Sequence, residues 1–372
     1  MSKSAIVIGS GIIGIAAAYT LLQKGYRVTV LEKNHQPIGA SIRNFGMIWP
    51  IGQPAGEKYD TAILSKQIWE SLSKSAGFHL NGNGSLHLAY HPDEKDVLQE
   101  FIDLHQSSRS IQWLSPQASM SKSKAINPAS LLGAMYSHEE ALVDPREAIL
   151  KLILYLQSLP NCTIHFNTPI YSIVENSCVG ISATWQADKI FVCSGSDIRM
   201  LFPDVLDQYG MLCELQMMRT YSQPFDFNLG PSLCAGLTLA HYGAFKEMKS
   251  LSSLMRRFEI VHHNLLHLGI HVMAAQYEHG EVTIGDSHEY GSHFSPFIDQ
   301  RINEAILIYL KTFCILPELK MLSYWKGIYF KLKNNQPYIF QSIDDYTTIV
   351  NGFGGSGMTL SFGALQKELA TL

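Results

Sequence analysis

The chain has few charged residues and no excess of basic ones, which excludes a nucleic-acid-binding surface. Charged residues make up 16% of its 372 residues, and the net charge is −4 at neutral pH. A nucleic-acid-binding domain needs a basic patch, and this balance provides no sign of one. Hydrophobic residues make up 46% of the chain, as in a well-buried globular protein. This length fits two domains, or one large domain with an inserted lobe.

The cysteines are far apart and form no Cys-x-x-Cys pair. This spacing argues against a zinc site built on clustered thiolates and against a disulfide scaffold. We expect most of them to be small buried hydrophobic side chains in a reducing compartment. The six are Cys162, Cys178, Cys193, Cys213, Cys234 and Cys314.

Long apolar segments are also missing, apart from the stretch between Ala5 and Leu22. Glycines interrupt that stretch at Gly9, Gly11 and Gly14. It lacks the small-residue cleavage site of a signal peptide, and a strand followed by a helix explains it better than a membrane span. We therefore expect no integral membrane span and a cytoplasmic location.

The same glycines match the dinucleotide-binding fingerprint G-x-G-x-x-G. Gly9 permits a tight turn, Gly11 lets the backbone approach a pyrophosphate, and Gly14 lets the following helix pack on the strand. Glu32 ends the next predicted strand, where its carboxylate would accept hydrogen bonds from a ribose diol. The motif therefore predicts FAD or NAD, and the alternative is a glycine-rich packing turn.

A second glycine cluster, residues 351–358, lies between a predicted strand and the last predicted helix. One glycine is enough for a turn, whereas four in the six residues from Gly352 to Gly357 indicate close approach of the backbone to a ligand. Such a loop presents N–H groups to a flavin carbonyl or a ribityl chain. A nicotinamide enzyme does not need it, so the two clusters together favour FAD.

The order of the predicted elements indicates an α/β fold. Strand–helix signals occur at the start, in the middle and at the end of the chain, with strand-rich stretches between them. We predict a doubly wound, Rossmann-like FAD-binding domain with an inserted antiparallel-sheet substrate domain. The predicted domains are residues 1–80, 140–211 and 325–372 for FAD, and residues 81–139 and 212–324 for the substrate. Strands are predicted at 5–8, 27–32, 82–90, 163–173, 188–193, across most of 212–284, and at 345–350; helices are predicted at 12–24, 60–75, 93–105, 145–158, 296–312 and 358–372.

These segments resemble the family of FAD-dependent amine and amino-acid oxidases that includes glycine oxidase, sarcosine oxidase and D-amino-acid dehydrogenase. The stretches 41–50, 215–220 and 284–290 look similar to a subgroup associated with the breakdown of aminophosphonates, including N-methylated ones. The matching pieces, in the order of the family, are Gly9 to Gly14, Glu32, Ala40-Ser41, Asp144-Pro145, Val192 to Gly195 and Gly352 to Met358.

The resemblance implies that the C–H bond next to an amine nitrogen is oxidised by hydride transfer to flavin N5. The imine then hydrolyses, and the reduced flavin passes its electrons to oxygen or to another acceptor. Two alternatives stay open: an FAD-binding or electron-transfer subunit without amine turnover, and a nicotinamide-dependent dehydrogenase.

Two departures from the sarcosine oxidases refine this expectation. Thr283 stands where those enzymes carry an oxygen-activating lysine, which predicts slow reaction with oxygen. The segment from Trp325 to Lys333 has no cysteine to tether flavin, which predicts non-covalent FAD. The predicted cofactor-binding residues are Gly9, Ser10, Gly11, Ile12, Ile13, Gly14, Glu32, Lys33, Ala40, Ser41, Asn44, Phe45, Gly46, Met47, Ile170, Ser194, Gly195, Gly352, Gly354, Gly355, Ser356, Gly357, Met358 and Thr359.

A substrate with an anionic head group needs a cation in the cleft. Arg43 and Lys326 lie in family-like segments and are the preferred candidates, and His288 is a third candidate for the catalytic site. A solvated surface role is the alternative for each cation, and a structural role is the alternative for the histidine. The remaining cations considered are Arg219, Lys331 and Lys333. No metal is predicted, because His262, His263 and His267 lack ligand spacing with a clear partner.

Overall fold

The computed structural model describes residues 3–334 and 336–372, in which strands and helices alternate. The strands are β1 (Ser4–Ile8), β2 (Arg27–Leu31), β3 (Met47–Ile48), β4 (Ser85–Ala89), β5 (Ile111–Leu114), β6 (Gly133–Ser137), β7 (Ala141–Leu142), β8 (Cys162–His165), β9 (Ile170–Val174), β10 (Ser177–Gly180), β11 (Thr184–Gln186), β12 (Lys189–Val192), β13 (Gly210–Ser222), β14 (Ser232–Cys234), β15 (Met273–Gln276), β16 (Glu281–Gly285), β17 (Glu289–Gly291), β18 (Met321–Leu332), β19 (Ile339–Ser342) and β20 (Thr347–Asn351). The α-helices are α1 (Ile12–Gln23), α2 (Glu57–Ala76), α3 (Pro92–His105), α4 (Pro116–Lys122), α5 (Pro145–Ser158), α6 (Pro203–Tyr209), α7 (Gly236–His241), α8 (Leu251–Val261), α9 (His263–His267), α10 (Gln300–Phe313) and α11 (Gly357–Glu368).

A six-stranded sheet forms the first layer, in the order β19-β20-β12-β1-β2-β8. All its pairs are parallel except β19 with β20. Strand β1 is apolar on both faces because both faces are covered. Val7 packs with helices α1, α5 and α11, whereas Ile6 and Ile8 pack on the side of β9 and β10. The predicted Rossmann-like α/β core is confirmed.

A larger, mainly antiparallel sheet forms the second unit, in the order β17-β13-β16-β15-β14-β4-β6-β5, with β18 also paired to β13. Among the described residues, only β14 and β4 pair in parallel within it. The predicted inserted antiparallel sheet is therefore present. Strand β18 runs through residue 325, where the predicted domain boundary falls. The exact division into domains remains a prediction.

The structure corrects the prediction that residues 212–284 are mostly strand. Helices α7, α8 and α9 lie within this range. In α8 the buried residues Leu254 and Phe258 are four apart, which is the spacing of one helix face rather than of a strand. The predicted strand at 163–173 is also divided into β8 and β9, since Asn167 has a positive φ and Pro169 follows it.

The start of α5 agrees with its prediction. Asp144 caps the helix by accepting a hydrogen bond from the Arg146 N–H at 3.0 Å, and Pro145 occupies the first turn. Among the described residues, no helix has both the length and the apolar character needed to cross a bilayer.

The six cysteines are all unpaired, and five of them are buried. Burial raises the pKa of Cys162 to about 11 and that of Cys178 to about 12. Thiols of this kind stay protonated near neutral pH, in agreement with the prediction of small buried hydrophobic side chains.

Candidate functional site

One cavity of about 880 Å³ is lined by residues of both large sheets. Ile8 and Leu31 contribute from the parallel sheet, and Leu215, Met217 and Met273 contribute from the antiparallel sheet. A cleft that is mainly apolar, with a few convergent polar groups, is the usual form of a cofactor and substrate site.

The first glycine motif forms the turn between β1 and α1. Gly9 has φ of +102°, and its N–H donates to the Leu31 carbonyl at 2.9 Å. A Cβ at Gly14 would lie 1.9 Å from the Gly9 carbonyl oxygen, so only glycine lets α1 approach the turn. Gly9 and Gly11 line the cavity beside the N-terminus of α1. Free N–H groups and the helix dipole make that end favourable for a diphosphate.

Glu32 follows β2 and lines the cavity with only 6% of its surface exposed. One carboxylate oxygen accepts hydrogen bonds from the Ser10 N–H at 2.9 Å and the Ser10 hydroxyl at 2.8 Å. The other accepts from the Asn34 N–H at 3.0 Å and the Asn34 amide at 3.1 Å. These bonds fix the carboxylate at the sheet edge, where a ribose would bind in this motif.

The second glycine loop follows β20 and borders the same cavity. Gly352 and Gly354 have φ values of +75° and +56°, conformations that favour glycine. Asn351 donates a side-chain hydrogen bond to the Gly195 carbonyl at 2.9 Å, which joins this loop to the loop after β12. Residues 352–360 all line the cavity, and an added Cβ at Gly357 would lie 3.5 Å from the Ile12 side chain at the start of α1.

The cavity collects all of the predicted cofactor-binding residues except three. Ser10 is bonded to Glu32, and Gly14 faces the turn at Gly9. Gly46 lies against Val143, whose carbonyl oxygen would be 1.9 Å from an added Cβ. These three residues contact the lining residues but do not line the cavity themselves. Contact with FAD remains a prediction for all of the predicted cofactor-binding residues.

The two preferred cations differ in position. Arg43 is exposed, lines the cavity and donates to the Lys326 carbonyl at 3.3 Å. Lys326 does not line the cavity, and its ammonium lies 2.6 Å from the buried carboxylate of Glu214 and 2.8 Å from the Ser295 carbonyl. The role of Lys326 as a substrate cation remains a prediction, but this ammonium already has a charged partner.

Arg219 is 2% exposed and does not line the cavity. Its guanidinium stacks on Tyr277 at 4.8 Å and on Trp325 at 5.6 Å, and its Nε donates to the Thr283 hydroxyl at 3.3 Å. The nearby acidic group is the carboxylate of Asp144, whose Oδ2 lies 3.8 Å from Nη1 of Arg219. Arg219 and Thr283 thus form one buried group behind the cavity wall.

Lys331 lines the cavity, unlike Lys333, whose ammonium donates to the Asp207 carbonyl at 3.0 Å. The Lys331 ammonium donates to the Tyr290 hydroxyl at 2.8 Å and lies 4.7 Å from the centre of that ring. Burial lowers the pKa of Lys331. Lys246 also lines the cavity and is exposed, and the sequence analysis did not single it out.

Three histidines meet at this end of the cavity: His241 from the end of α7, His271 before β15 and His288 after β16. One ring nitrogen of each lies within 4.8 Å of the others. His271 Nε2 is 3.0 Å from Asp286 Oδ1, and His288 Nε2 is 3.9 Å from Asp286 Oδ2. Burial lowers the pKa of His241 and of His288, so both imidazoles are neutral at pH 7.

Only His288 of this cluster was predicted from sequence. The three histidines are far apart in the sequence, at positions 241, 271 and 288. His271 and His288 meet because β15 pairs antiparallel with β16, which brings the start of β15 beside the end of β16. His241, at the end of α7, packs its ring against both. Short ligand spacing is the sequence signal for such a cluster, and none is present.

The cavity connects a site suited to a dinucleotide with a polar end suited to a small substrate. Proteins of known structure share the fold of this chain. The chain matches glycine oxidase from Geobacillus kaustophilus at 17% identity with a TM-score of 0.76, covering 99% of this chain and 95% of that one. L-α-glycerophosphate oxidase from Mycoplasma pneumoniae, determined with FAD bound, matches at 17% identity with a TM-score of 0.73, covering 100% of this chain and 95% of that one.

Sequence comparison identifies the family. N-methyl-L-tryptophan oxidase from Yersinia pestis is 27% identical over 216 residues, which are 55% of this chain and 56% of that protein. The chain thus spans about half the length of the curated relatives it matches. The family model described as FAD-dependent oxidoreductase matches residues 4–370. The chain therefore belongs to the family of FAD-dependent oxidoreductases, and its cofactor is FAD.

Proposed function

We propose that this protein oxidises a small amine that carries an anionic head group, with FAD as the hydride acceptor. The observation that carries the proposal is one continuous cavity lined by both glycine loops and by the cations Arg43, Lys331 and Lys246. An amino acid and an aminophosphonate both present an amine and an anion to such a cavity. The names of the relatives, glycine oxidase and N-methyl-L-tryptophan oxidase, agree with a substrate of this class.

The chain's own residues would hold FAD along its length. The N-terminus of α1 would face the diphosphate, Glu32 would bind the ribose, and the loop at 352–357 would contact the flavin. When bound, the flavin supplies hydride acceptance, and the protein supplies orientation and a water-poor pocket. Strand β18 has no cysteine, so we propose non-covalent binding. Acid precipitation should release yellow flavin into the supernatant, and flavin retained in the pellet would contradict this.

The substrate end would bind the anion and exclude water. Trp49, Tyr242 and Met273 line it and supply apolar surface. A phosphonate carries up to two charges and three acceptor oxygens, so its site should contain two cations. Arg43 and Lys331 both line the cavity and are the proposed cations. Lys326, the cation also predicted from sequence, would first have to leave Glu214.

An anaerobic screen tests the activity and separates it from that of an FAD-binding subunit without turnover. Glycine, sarcosine, D-amino acids, 2-aminoethylphosphonate and its N-methyl form would each be mixed with the holoenzyme. We expect bleaching of the flavin band by at least one anionic amine. A flavin that none of these amines reduces, but that dithionite bleaches, would contradict amine oxidation.

Variants then locate the anion site. Loss of a charged hydrogen bond costs about 1.5–3 kcal/mol, or roughly ten- to a hundred-fold in kcat/KM. We expect Arg43→Ala and Lys331→Ala to lose this much with unchanged FAD content. Lys320→Ala is the matched control, because Lys320 is exposed and does not line the cavity. Lys326→Ala tests whether that predicted cation binds the anion. If this variant has the same kcat/KM as the parent, Lys326 does not belong to the anion site.

We also propose that oxygen is a poor acceptor. Position 283, where the sarcosine oxidases carry an oxygen-activating lysine, is a threonine. Thr283 is fully buried, and its hydroxyl accepts a hydrogen bond from Arg219 Nε. Stopped-flow mixing of reduced enzyme with oxygen should show slow reoxidation, and a dye acceptor should react faster. Rapid reoxidation would contradict the proposal and would direct attention to another cation, such as Lys326.

A further inference from the structure

The three cavity histidines form a cluster that amine oxidation by flavin does not require. We propose that His241, His271 and His288 bind a divalent transition-metal ion such as Zn²⁺ at the substrate end of the cavity. Histidine is a common ligand for Zn²⁺, and three protein ligands with one open position are typical of sites that also bind a substrate.

One ring nitrogen of His271 has no partner among the described residues. His271 is 3% exposed, and its Nε2 lies 3.0 Å from the carboxylate of Asp286. This is an ion-pair contact rather than a hydrogen bond, since Asp286 Oδ1 is also buried without a hydrogen-bond partner among the described residues. The tautomer with its proton on Nε2, towards the carboxylate, leaves a lone pair on Nδ1, which is likewise buried without a partner in the described part of the chain. A carboxylate that orients a histidine in this way is typical of metal sites.

His288 is oriented in a similar manner by the backbone. Its Nδ1 lies 3.1 Å from the Gly269 carbonyl oxygen, which can only accept a hydrogen bond. Nδ1 therefore carries the proton, and Nε2 keeps its lone pair on the side of Asp286, at 3.9 Å from Oδ2. An ion at this place would have two oriented imidazoles and a nearby negative charge.

His241 completes the set. Its ring lies 3.7 Å from the His271 ring and 4.7 Å from the His288 ring, centre to centre. Ligand nitrogens around Zn²⁺ at 2.0–2.1 Å stand roughly 3.3 Å apart. One nitrogen of each of the three rings lies within 4.8 Å of the others. The His241 and His271 rings face each other with their planes at 32°, so these rings must turn, as well as their nitrogens approach, before their in-plane lone pairs meet at one ion.

The surroundings indicate what the open position would bind. All three histidines line the cavity, together with Lys331 and Lys246. Two ammonium groups beside a dication repel it unless an anion lies between the three positive charges. The open position of the ion would therefore bind an oxygen of an anionic head group. This part of the inference rests on the proposed function and makes the ion a partner of the substrate anion.

Metal binding is tested on oxidised, substrate-free holoenzyme. The protein would be treated with a chelator, dialysed and titrated with Zn²⁺ by calorimetry, with the bound metal counted by elemental analysis. We expect one ion per chain. His271→Ala and His288→Gln should bind at least about a hundred-fold more weakly, since each loses a ligand. Asp286→Asn should bind about 10- to 100-fold more weakly, as for a residue that orients a ligand.

His263→Ala is the matched control, because His263 is exposed and does not line the cavity. It should bind Zn²⁺ as the parent does. FAD content and melting temperature would show that each variant is folded. No binding by the parent, or equal binding by the parent and by all three cluster variants, would overturn the site.

A second titration tests the open position. Methylphosphonate should perturb the flavin spectrum at a concentration at least tenfold lower with Zn²⁺ bound than after chelation. An equal response in both states would overturn the role in anion binding. Amine-dependent flavin reduction without Zn²⁺ binding would contradict only the metal site, whereas Zn²⁺ binding without reduction by any amine would contradict only the proposed function.

Discussion

The two ends of the cavity are built from different parts of the polypeptide. The cofactor end consists mainly of backbone, at the turn before α1 and the loop before α11, with Glu32 fixed by Ser10 and Asn34. The substrate end consists of ionisable side chains, with three histidines, Asp286 and Lys331. Backbone N–H groups can bind a cofactor only where a turn brings them close, whereas side chains can converge from distant segments. The two ends should therefore respond differently to mutation and to pH.

The largest effect is expected at the backbone-built end, from Gly14→Val. The new Cβ would lie 1.9 Å from the Gly9 carbonyl oxygen, so α1 and the turn must separate. We expect loss of FAD from the purified protein and destabilisation by more than about 4 kcal/mol, as for severe overpacking with backbone strain. The absorbance ratio of flavin to protein and the melting temperature measure both.

Gly82→Val is the matched control, because an added Cβ at Gly82 has nothing within 4 Å. Its FAD content should equal that of the parent. If Gly14→Val also retained full FAD content, the close packing of α1 on the turn would not be needed for cofactor binding.

A second prediction concerns a buried carboxylate that holds the loop between the two ends. Glu140 accepts hydrogen bonds from the Ile51 N–H at 3.0 Å and the Ser85 hydroxyl at 2.8 Å. Burial raises its pKa from 4.5 to about 7, against the effect of these hydrogen bonds. A raised pKa in the folded state gives stability that is complete below pH 4.5 and is lost as pH rises through 7.

The size of this loss is about 3.5 kcal/mol at most, at roughly 1.4 kcal/mol for each of the 2.5 pH units between 4.5 and 7. Urea unfolding of the parent should show it between pH 5 and pH 8. Glu140→Gln removes the titration while keeping the shape, so its stability should change less over this interval. The same pH dependence in parent and variant would assign the effect to other groups.

A third prediction returns to the cofactor end, where one charged side chain contributes. Glu32→Ala should weaken FAD binding by about 1.5–3 kcal/mol, the cost of a lost hydrogen bond to a charged group. Glu32→Gln keeps an oxygen for one of its present partners and should lose less. The fluorescence of free FAD titrated with apoprotein measures both dissociation constants. Unchanged affinity in Glu32→Ala would mean that Glu32 does not bind the ribose.

The cofactor end could be predicted from sequence because its determinants are contiguous. Six residues from Gly9 to Gly14 specify the turn, the helix start and its packing, and the glycines at 352–357 do the same for the second loop. Conformations with positive φ, as at Gly9 and Gly352, favour glycine, so the residue type in the sequence indicates where they occur. The α/β fold followed from the same strand–helix–strand signals.

The substrate end could not be predicted in the same way. The three histidines meet only after α7, β15 and β16 have packed, so no local pattern marks them. Lys326 was selected for its segment, but pairing of β18 with β13 places it beside Glu214, which is 4% exposed and requires a cation. The likeness of this segment to the family identified the strand. Which side chain of the strand is available to bind the substrate depends on its tertiary neighbours, and the sequence does not show these.

The smallest effect is expected from an ion pair at the mouth of the cofactor end. Lys33 and Asp197 both line the cavity, and their charged atoms are 2.9 Å apart, with 37% and 47% of the side chains exposed. Exposed pairs of this kind contribute about 0–1 kcal/mol, because water and salt screen them. Lys33→Ala should therefore weaken FAD binding by less than about fivefold at physiological salt, well below the effect of Glu32→Ala. The same fluorescence titration at low and high salt measures it. A loss as large as that of Glu32→Ala would show that Lys33 binds the cofactor directly, and the cofactor end would then depend on side chains as much as the substrate end does.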